Sequence, residues 1–264
     1  MKTLTASVII PVYNPDPNLL KEIVSRLKKQ TVKPEILLID QGLPEFIQTN
    51  IGLKKASGDV LITLSQDCLP ENETWLESLI APFKDKEVVA TTSDLELPHK
   101  TWKKFDLLAK ILTIKEQTII TPALDGRATA YRSSALKKIG YMNESRVTVA
   151  GDDDTYLKIK KLGKIAYPHA KVFHIHKSTG KERLLLEYRY AKGSGTSLRL
   201  FSFNLPGRWK TFLRIFPFFG IFGFLARFPI KRSLKLFTLY ALISPLLHVI
   251  YTVGFWKGFL FIEN

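Results

Sequence analysis

The sequence predicts an α/β protein built on parallel strands, on three observations: short β-branched apolar runs, an amphipathic helical pattern between the first two of them, and polar residues where successive runs end. Ser7–Val12 is the first run and Glu35–Asp40 repeats it; apolar runs of this kind read as strands buried on both faces. Between them Leu19, Leu20, Ile23, Val24 and Leu27 recur at helical spacing with polar residues opposite, giving a strand–helix–strand unit. Asp59–Leu64 supplies a third strand that ends at Ser65-Gln66-Asp67. Trp75, Leu76, Leu79 and Ile80 then mark a helix, and Val88–Thr92 a further strand.

In open α/β sheets ligands bind beyond the carboxyl ends of the strands. Asn14, Asp40 and Asp67 stand at three such ends. Each alone is ordinary turn chemistry; three at successive ends predict a binding site. A second polar feature is Gly151-Asp152-Asp153-Asp154. Repulsion among adjacent carboxylates raises the pKa of at least one of them and poises it to accept a proton near neutral pH, although an acidic first turn of a helix reads the same way.

With 264 residues, 45% of them hydrophobic, the chain is long enough for one large domain with an appendage, and a disordered polymer is excluded. Cys68 is the only cysteine, which excludes an intramolecular disulfide and a four-cysteine zinc site and fits a reducing, cytosol-facing location. Met1-Lys2-Thr3-Leu4 runs straight into a strand pattern, so a cleaved signal peptide is not expected.

The formal charge of +15 is uneven: residues 177–264 hold 14 Lys/Arg against 3 Asp/Glu. Such asymmetry points to a polyanionic partner. The same segment carries the aromatic run Ile215–Ala226 and the uncharged window Leu236–Trp256, which nucleic-acid binders do not usually have. The expected partner is therefore an anionic membrane surface and not nucleic acid. The window is long enough to span a bilayer, while Pro245, His248 and the basic residues Arg227, Lys231, Arg232 and Lys235 fit helices lying in the interface. A helical subdomain packed on the core is the third reading. Gly193-Ser194-Gly195 and Pro206-Gly207 mark the expected hinge region, with domains over 1–205 and 206–264.

Taken in order, Ser7–Asn14, Ile39-Asp40, Asn50-Ile51-Gly52 with Gly58-Asp59, Ser65-Gln66-Asp67-Cys68-Leu69-Pro70, Gly126-Arg127 with Tyr131-Arg132, Gly151-Asp152 and His174 resemble the family 2 glycosyltransferases of the GT-A fold. The similarity spans roughly residues 6–200 and is closest to the rhamnosyltransferase-like enzymes of polysaccharide assembly, in which a Thr-Gln-Asp segment stands where others have Asp-x-Asp. The resemblance implies a Rossmann-like mixed, mainly parallel sheet flanked by helices. It implies that Pro11, Tyr13 and Asn14 line the nucleotide pocket, that Asp40 accepts a hydrogen bond from the base, and that Gln66, Gly126 and Arg127 belong to the donor and acceptor surface. Asp67 would hold a divalent cation, Mg²⁺ or Mn²⁺, on the diphosphate, with His174, or less well His176, as a further ligand. His174-Ile175-His176 on one strand would put both imidazoles on the same face.

By the same resemblance Asp152 falls at the catalytic base, with Asp153 the alternative if the register slips and Asp154 positioning the loop. The activity implied is inverting hexosyl transfer from a nucleoside-diphosphate sugar, a dTDP- or UDP-sugar, to a lipid-linked saccharide or polyprenyl phosphate at the cytoplasmic face of a membrane. Two departures matter. Only nine residues, Gln41–Thr49, separate Asp40 from Asn50 where the family has some twenty more, which predicts a more open nucleotide pocket. Ser65 and Gly151 replace acidic residues, which keeps a non-catalytic sugar-nucleotide-binding or scaffold subunit as the alternative.

Overall fold

A computed structural model of the chain describes residues 4–144 and 149–261. The described residues fall into two compact units, one drawn from the stretches Met1–Leu97, Ile119–Glu144 and Asp154–Ile175, the other from Pro98–Thr118, Ser145–Asp153 and His176–Asn264. The strands are β1 (Ala6–Pro11), β2 (Glu35–Ile39), β3 (Val60–Leu64), β4 (Cys68–Pro70), β5 (Val88–Thr92), β6 (Asp94–Glu96), β7 (Ala128–Arg132), β8 (Lys164–Ala166) and β9 (Lys171–His174). The helices are α1 (Pro17–Lys29), α2 (Glu45–Lys55), α3 (Trp75–Ile80), α4 (His99–Trp102), α5 (Leu107–Thr113), α6 (Ser133–Ile139), α7 (Val149–Lys160), α8 (Gly180–Phe201), α9 (Arg208–Leu213), α10 (Pro217–Leu225) and α11 (Leu234–Leu260).

The first unit holds a six-stranded sheet in the order β2-β1-β3-β7-β5-β8. β1 runs parallel to β2 and β3, β5 parallel to β8, and β7 antiparallel to both neighbours, so the sheet is mixed and mainly parallel, as expected. The apolar runs explain the placement: Val8, Ile9 and Ile10 of β1 and Val60, Leu61 and Ile62 of β3 are fully buried. Helix α1 starts where Asp16 accepts hydrogen bonds from the amides of Asn18 (3.1 Å) and Leu19 (3.4 Å), with Pro17 at its first position and Lys28 and Lys29 in its last turn. Its Ile23 and Leu27 are buried in the sheet's core. Glu35 ties β2 to the loop before β3, its Oε2 accepting from Ser7 Oγ (2.5 Å) and from the Ser57 amide (2.9 Å). The Ser57 amide and the Ser7 hydroxyl hold the Glu35 carboxyl below its ordinary range.

Two features of this unit lie outside the expectations. Helix α2 occupies Glu45–Lys55, where no element was expected, and it packs directly on β1: a Cβ at Gly52 would overlap the Ile9 side chain and come within 3.1 Å of Ile39. A second, three-stranded sheet in the order β4-β9-β6 also forms, with β9 antiparallel to β4 and parallel to β6. β9 ends at His174, so His176 lies beyond the strand that was expected to carry both histidines.

In the second unit α8 opens with a capping box in which Thr179 and Glu182 satisfy each other's amides, and α11 opens on Ser233, whose hydroxyl accepts from the Leu236 amide at 3.2 Å. Its core gathers Ile111, Leu112, Ala191, Leu198, Phe224, Leu247, Tyr251 and Phe255. Gly193-Ser194-Gly195 lies inside the 22-residue helix α8 and is not a hinge; Gly195 is there because Phe255 backbone leaves no room for a side chain. Pro206-Gly207 does make the turn between α8 and α9.

Placing Val at Gly52 forces α2 away from β1, and overpacking of this kind costs about 1–3 kcal/mol. Gly52→Val is expected to lower the midpoint of urea unfolding with an unchanged m-value; an unaltered midpoint would contradict the α2–β1 packing.

Candidate active site

The carboxyl ends of β1 and β3 and the connection after β2 enclose a cavity of about 520 Å³. Pro11 and Tyr13 line it from β1, Ser65, Gln66 and Asp67 from β3, and Gly42–Glu45 with Gln48 from the connection. The short connection thus supplies a wall of the cavity. Gln48 holds that wall in place from a buried position: its amide nitrogen donates to the carbonyls of Leu43 (2.9 Å) and Val12 (3.2 Å), and its oxygen accepts from the Gln41 amide (2.9 Å).

Tyr13 is 64% exposed, a large aromatic ring presented at the cavity. Its backbone is fixed by Gln66, whose oxygen accepts from the Tyr13 amide and whose nitrogen donates to the Tyr13 carbonyl, both at 2.8 Å. Gln66 therefore spends its polar atoms on the protein and positions Tyr13. Asn14 (φ 42°) and Asp40 are exposed loop residues at the ends of their strands, outside the cavity wall.

Asp67 meets His174 because β4 and β9 pair with Cys68 opposite His174, and the Ile175 amide donates to the Asp67 carbonyl at 2.7 Å. Asp67 Oδ2 and His174 Nε2 lie 3.2 Å apart. Cys68 Sγ completes a cluster whose ligand atoms all lie within 4.8 Å of one another. Burial, followed by the charge of Asp67 beside it, pushes the Cys68 thiol well up in the absence of a cation. Arg127 forks onto Asp125, its Nη2 and Nε at 2.5 and 3.0 Å from Oδ2, so its charge is already partnered. Gly126, between them, has open space where a side chain would stand.

Residues 46–140 match the family model described as Glycosyl transferase family 2. Over that stretch the chain is similar to the family 2 glycosyltransferases. Among solved structures, the mannosyltransferase PcManGT from Pyrobaculum calidifontis, in complex with GDP-Man and Mn²⁺, is 14% identical and covers 100% of this chain and 89% of its own, with a TM-score of 0.63. GalNAc-T7, solved with UDP, GalNAc and Mn²⁺, is 15% identical over 78% of this chain and 52% of its own length, with a TM-score of 0.53. These likenesses carry the GT-A fold. A sequence comparison with curated proteins finds no match.

The three aspartates occupy the first half of helix α7 and not a loop. Asp154 pairs with Lys158 at 2.6 Å. Asp153 accepts from Arg208 Nη2 at 2.6 Å and from Ser197 Oγ, and Arg208 also donates to Ser197 at 2.9 Å. A carboxylate held this way by a buried guanidinium is fixed in place, which suits a structural role better than a proton-accepting one. His176, in the second unit, is committed to Glu116 and Arg183, with Arg183 Nη2 at 2.8 Å from its Nε2.

Glu45, at the start of α2, was not among the expected site residues. Its carboxyl is open to solvent through the cavity yet closely walled, and this desolvation, followed by the charges of Asp67 and Asp125, raises its pKa. A carboxyl whose pKa is raised by folding lowers stability as pH climbs through that window, because the folded state must then give up a proton it holds more tightly than the unfolded chain does. The metal-free Glu45→Gln protein is thus expected to gain stability relative to the parent between acid and neutral pH, read from chemical denaturation at both; a pH-independent difference would contradict the placement of Glu45.

Proposed function

We propose that this glycosyltransferase is an inverting hexosyltransferase that takes its sugar from a nucleoside diphosphate, a dTDP- or UDP-sugar, and gives it to a lipid-linked saccharide or polyprenyl phosphate at the cytoplasmic face of a membrane. The observation that carries the reading is the Asp67–His174 pair beside the cavity at the ends of β1 and β3. The bound molecules named for the two neighbours, GDP-Man and UDP with GalNAc, each beside Mn²⁺, support the donor class and the cation. The catalytic domain would extend over 1–205 and the membrane-associating tail over 206–264.

A carboxylate and an imidazole suit Mn²⁺ better than Mg²⁺, which prefers oxygen ligands alone. Asp67 and His174 would hold the ion and leave its other positions to diphosphate oxygens. Such an ion, when bound, offsets the charge that develops on the departing diphosphate. Tyr13, fixed by Gln66, offers its ring to the nucleobase, and Pro11 the adjoining wall; Asn14 and Asp40 would contribute from the rim, and Gly126 and Arg127 from the sugar side. For a hydroxyl acceptor, Asp152 takes the proton as the oxygen attacks the anomeric carbon, the bond to the diphosphate breaks, and the configuration inverts.

A polyprenyl phosphate is already an anionic nucleophile and needs no base. Asp152→Asn is therefore expected to cut transfer to a saccharide hydroxyl by about 10²–10⁴-fold while donor binding persists, and to spare transfer to polyprenyl phosphate. Equal loss with both acceptors would overturn the base assignment. Asp67→Asn and His174→Ala are each expected to weaken Mn²⁺ binding, read by calorimetry, by on the order of 10–100-fold, and chelation should abolish donor hydrolysis. A protein that binds donor but neither hydrolyses nor transfers it with Mn²⁺ present would be the scaffold subunit instead, a reading that Ser65 and Gly151 favour.

A further inference from the structure

Helix α11 has two faces. Tyr240, Ser244, Leu247, Tyr251, Phe255 and Gly258 are buried inside the second unit. On the other side Leu242, Leu246, Val249, Val253, Trp256 and Leu260, at alternating steps of four and three, form one apolar stripe in which Leu242 is 74% and Trp256 39% exposed. Exposed Lys235 and Lys257 stand at its ends. Helix α10 adds Phe218 and Phe222, 76% and 64% exposed, with rings stacked at 6.4 Å. Apolar exposure on this scale marks an interaction surface.

The charge around the stripe names the partner. Residues 208–261 contain eight Lys/Arg and no Asp/Glu, which complements an anionic headgroup layer and not an acid-free protein face. Trp256 next to Lys257 is the pairing favoured at a membrane–water boundary.

The buried face decides how α11 meets the membrane. Helix α8 is seated there so closely that a Cβ at Gly254 would fall 2.7 Å from the Tyr188 carbonyl oxygen and one at Gly258 would overlap that of Lys192; Arg199 donates to the carbonyls of Phe259 (3.0 Å) and Leu260 (2.7 Å). Glu187 of α8 is within charge reach of Tyr240. A crossing α11 would take Glu187, Arg189 and Lys192 into hydrocarbon with it, where ionisable side chains are costly. An α11 lying flat leaves them on the water side. The small residues Gly254 and Gly258, a spacing that pairs spanning helices, are already used on α8.

We propose that the second unit docks flat on an anionic bilayer, with α11 lying in the boundary between headgroups and acyl chains along the Leu242–Leu260 stripe and not crossing it. The proposal deepens the membrane-associated reading given above by fixing the surface and its orientation.

The test uses the full chain with vesicles of phosphatidylcholine, with and without phosphatidylglycerol. Binding should require phosphatidylglycerol, and the double variant Leu246→Glu/Val253→Glu should lower the bound fraction by about tenfold, with donor hydrolysis unchanged because neither residue lines the cavity. In a Cys68→Ser background, Lys235→Cys and Lys257→Cys should both react with an impermeant maleimide added outside the vesicles. Protection of either end until detergent is added would mean a span and overturn the proposal. So would vesicle binding that survives the double variant, or a double variant that merely converts a dimer to a monomer. Loss of donor hydrolysis in the unaltered protein would instead count against the glycosyltransferase reading, leaving the docking result to stand on its own.

Discussion

The pairing of two very short strands, β4 and β9, is the constraint on which the site depends. Asp67 and His174 are 107 residues apart in sequence, and neither belongs to the main sheet. They meet because Cys68 lies opposite His174 and the Ile175 amide closes on the Asp67 carbonyl. A slip of one residue would turn His174 to the other face of the small sheet and remove the imidazole from the carboxylate. Burial of Leu69, Val172 and Cys68 in the core that also holds β1 and β3 sets that register.

Around this pair the protein collects more negative charge than it neutralises. Asp67, Glu45 and Asp125 act on one another, and Arg127 is the counter-charge on the protein side. Without a cation the arrangement costs stability; under the proposed function a bound ion would turn the same repulsion into affinity for itself and, through it, for a diphosphate. The backbone that must not move is held separately. Gln48 and Gln66 spend their amides on the Leu43 and Tyr13 segments, so the cavity wall and the exposed ring are in place before any ligand arrives.

Much of the main sheet was legible in the sequence because β1, β2, β3 and β5 are runs of apolar residues flanked by turn chemistry, a pattern that needs no partner to be read. Helix α2 was not, because Gln48, Thr49 and Asn50 are buried polar residues that erase its apolar period. Asn50, for example, donates to the Met142 carbonyl at 2.8 Å, a contact no local pattern announces. With α2 unread, Glu45 went unread too. Strands of three or four residues carry no usable period, so the second sheet and the end of β9 at His174 emerged only from pairing. Gly193-Ser194-Gly195 misled for the opposite reason: Gly195, which looks like punctuation locally, is a packing point for α11.

The two units answer different demands, an acid-rich cavity in one and a basic, apolar helical layer in the other, and the proposed cation site belongs to the first. Pulsed electron paramagnetic resonance of Mn²⁺ bound to the full chain with UDP examines it most directly. The account predicts coupling to an imidazole nitrogen and to phosphorus on the same ion, with the nitrogen coupling absent in His174→Ala. An ion coupled to phosphorus but to no nitrogen in the unaltered protein would contradict it.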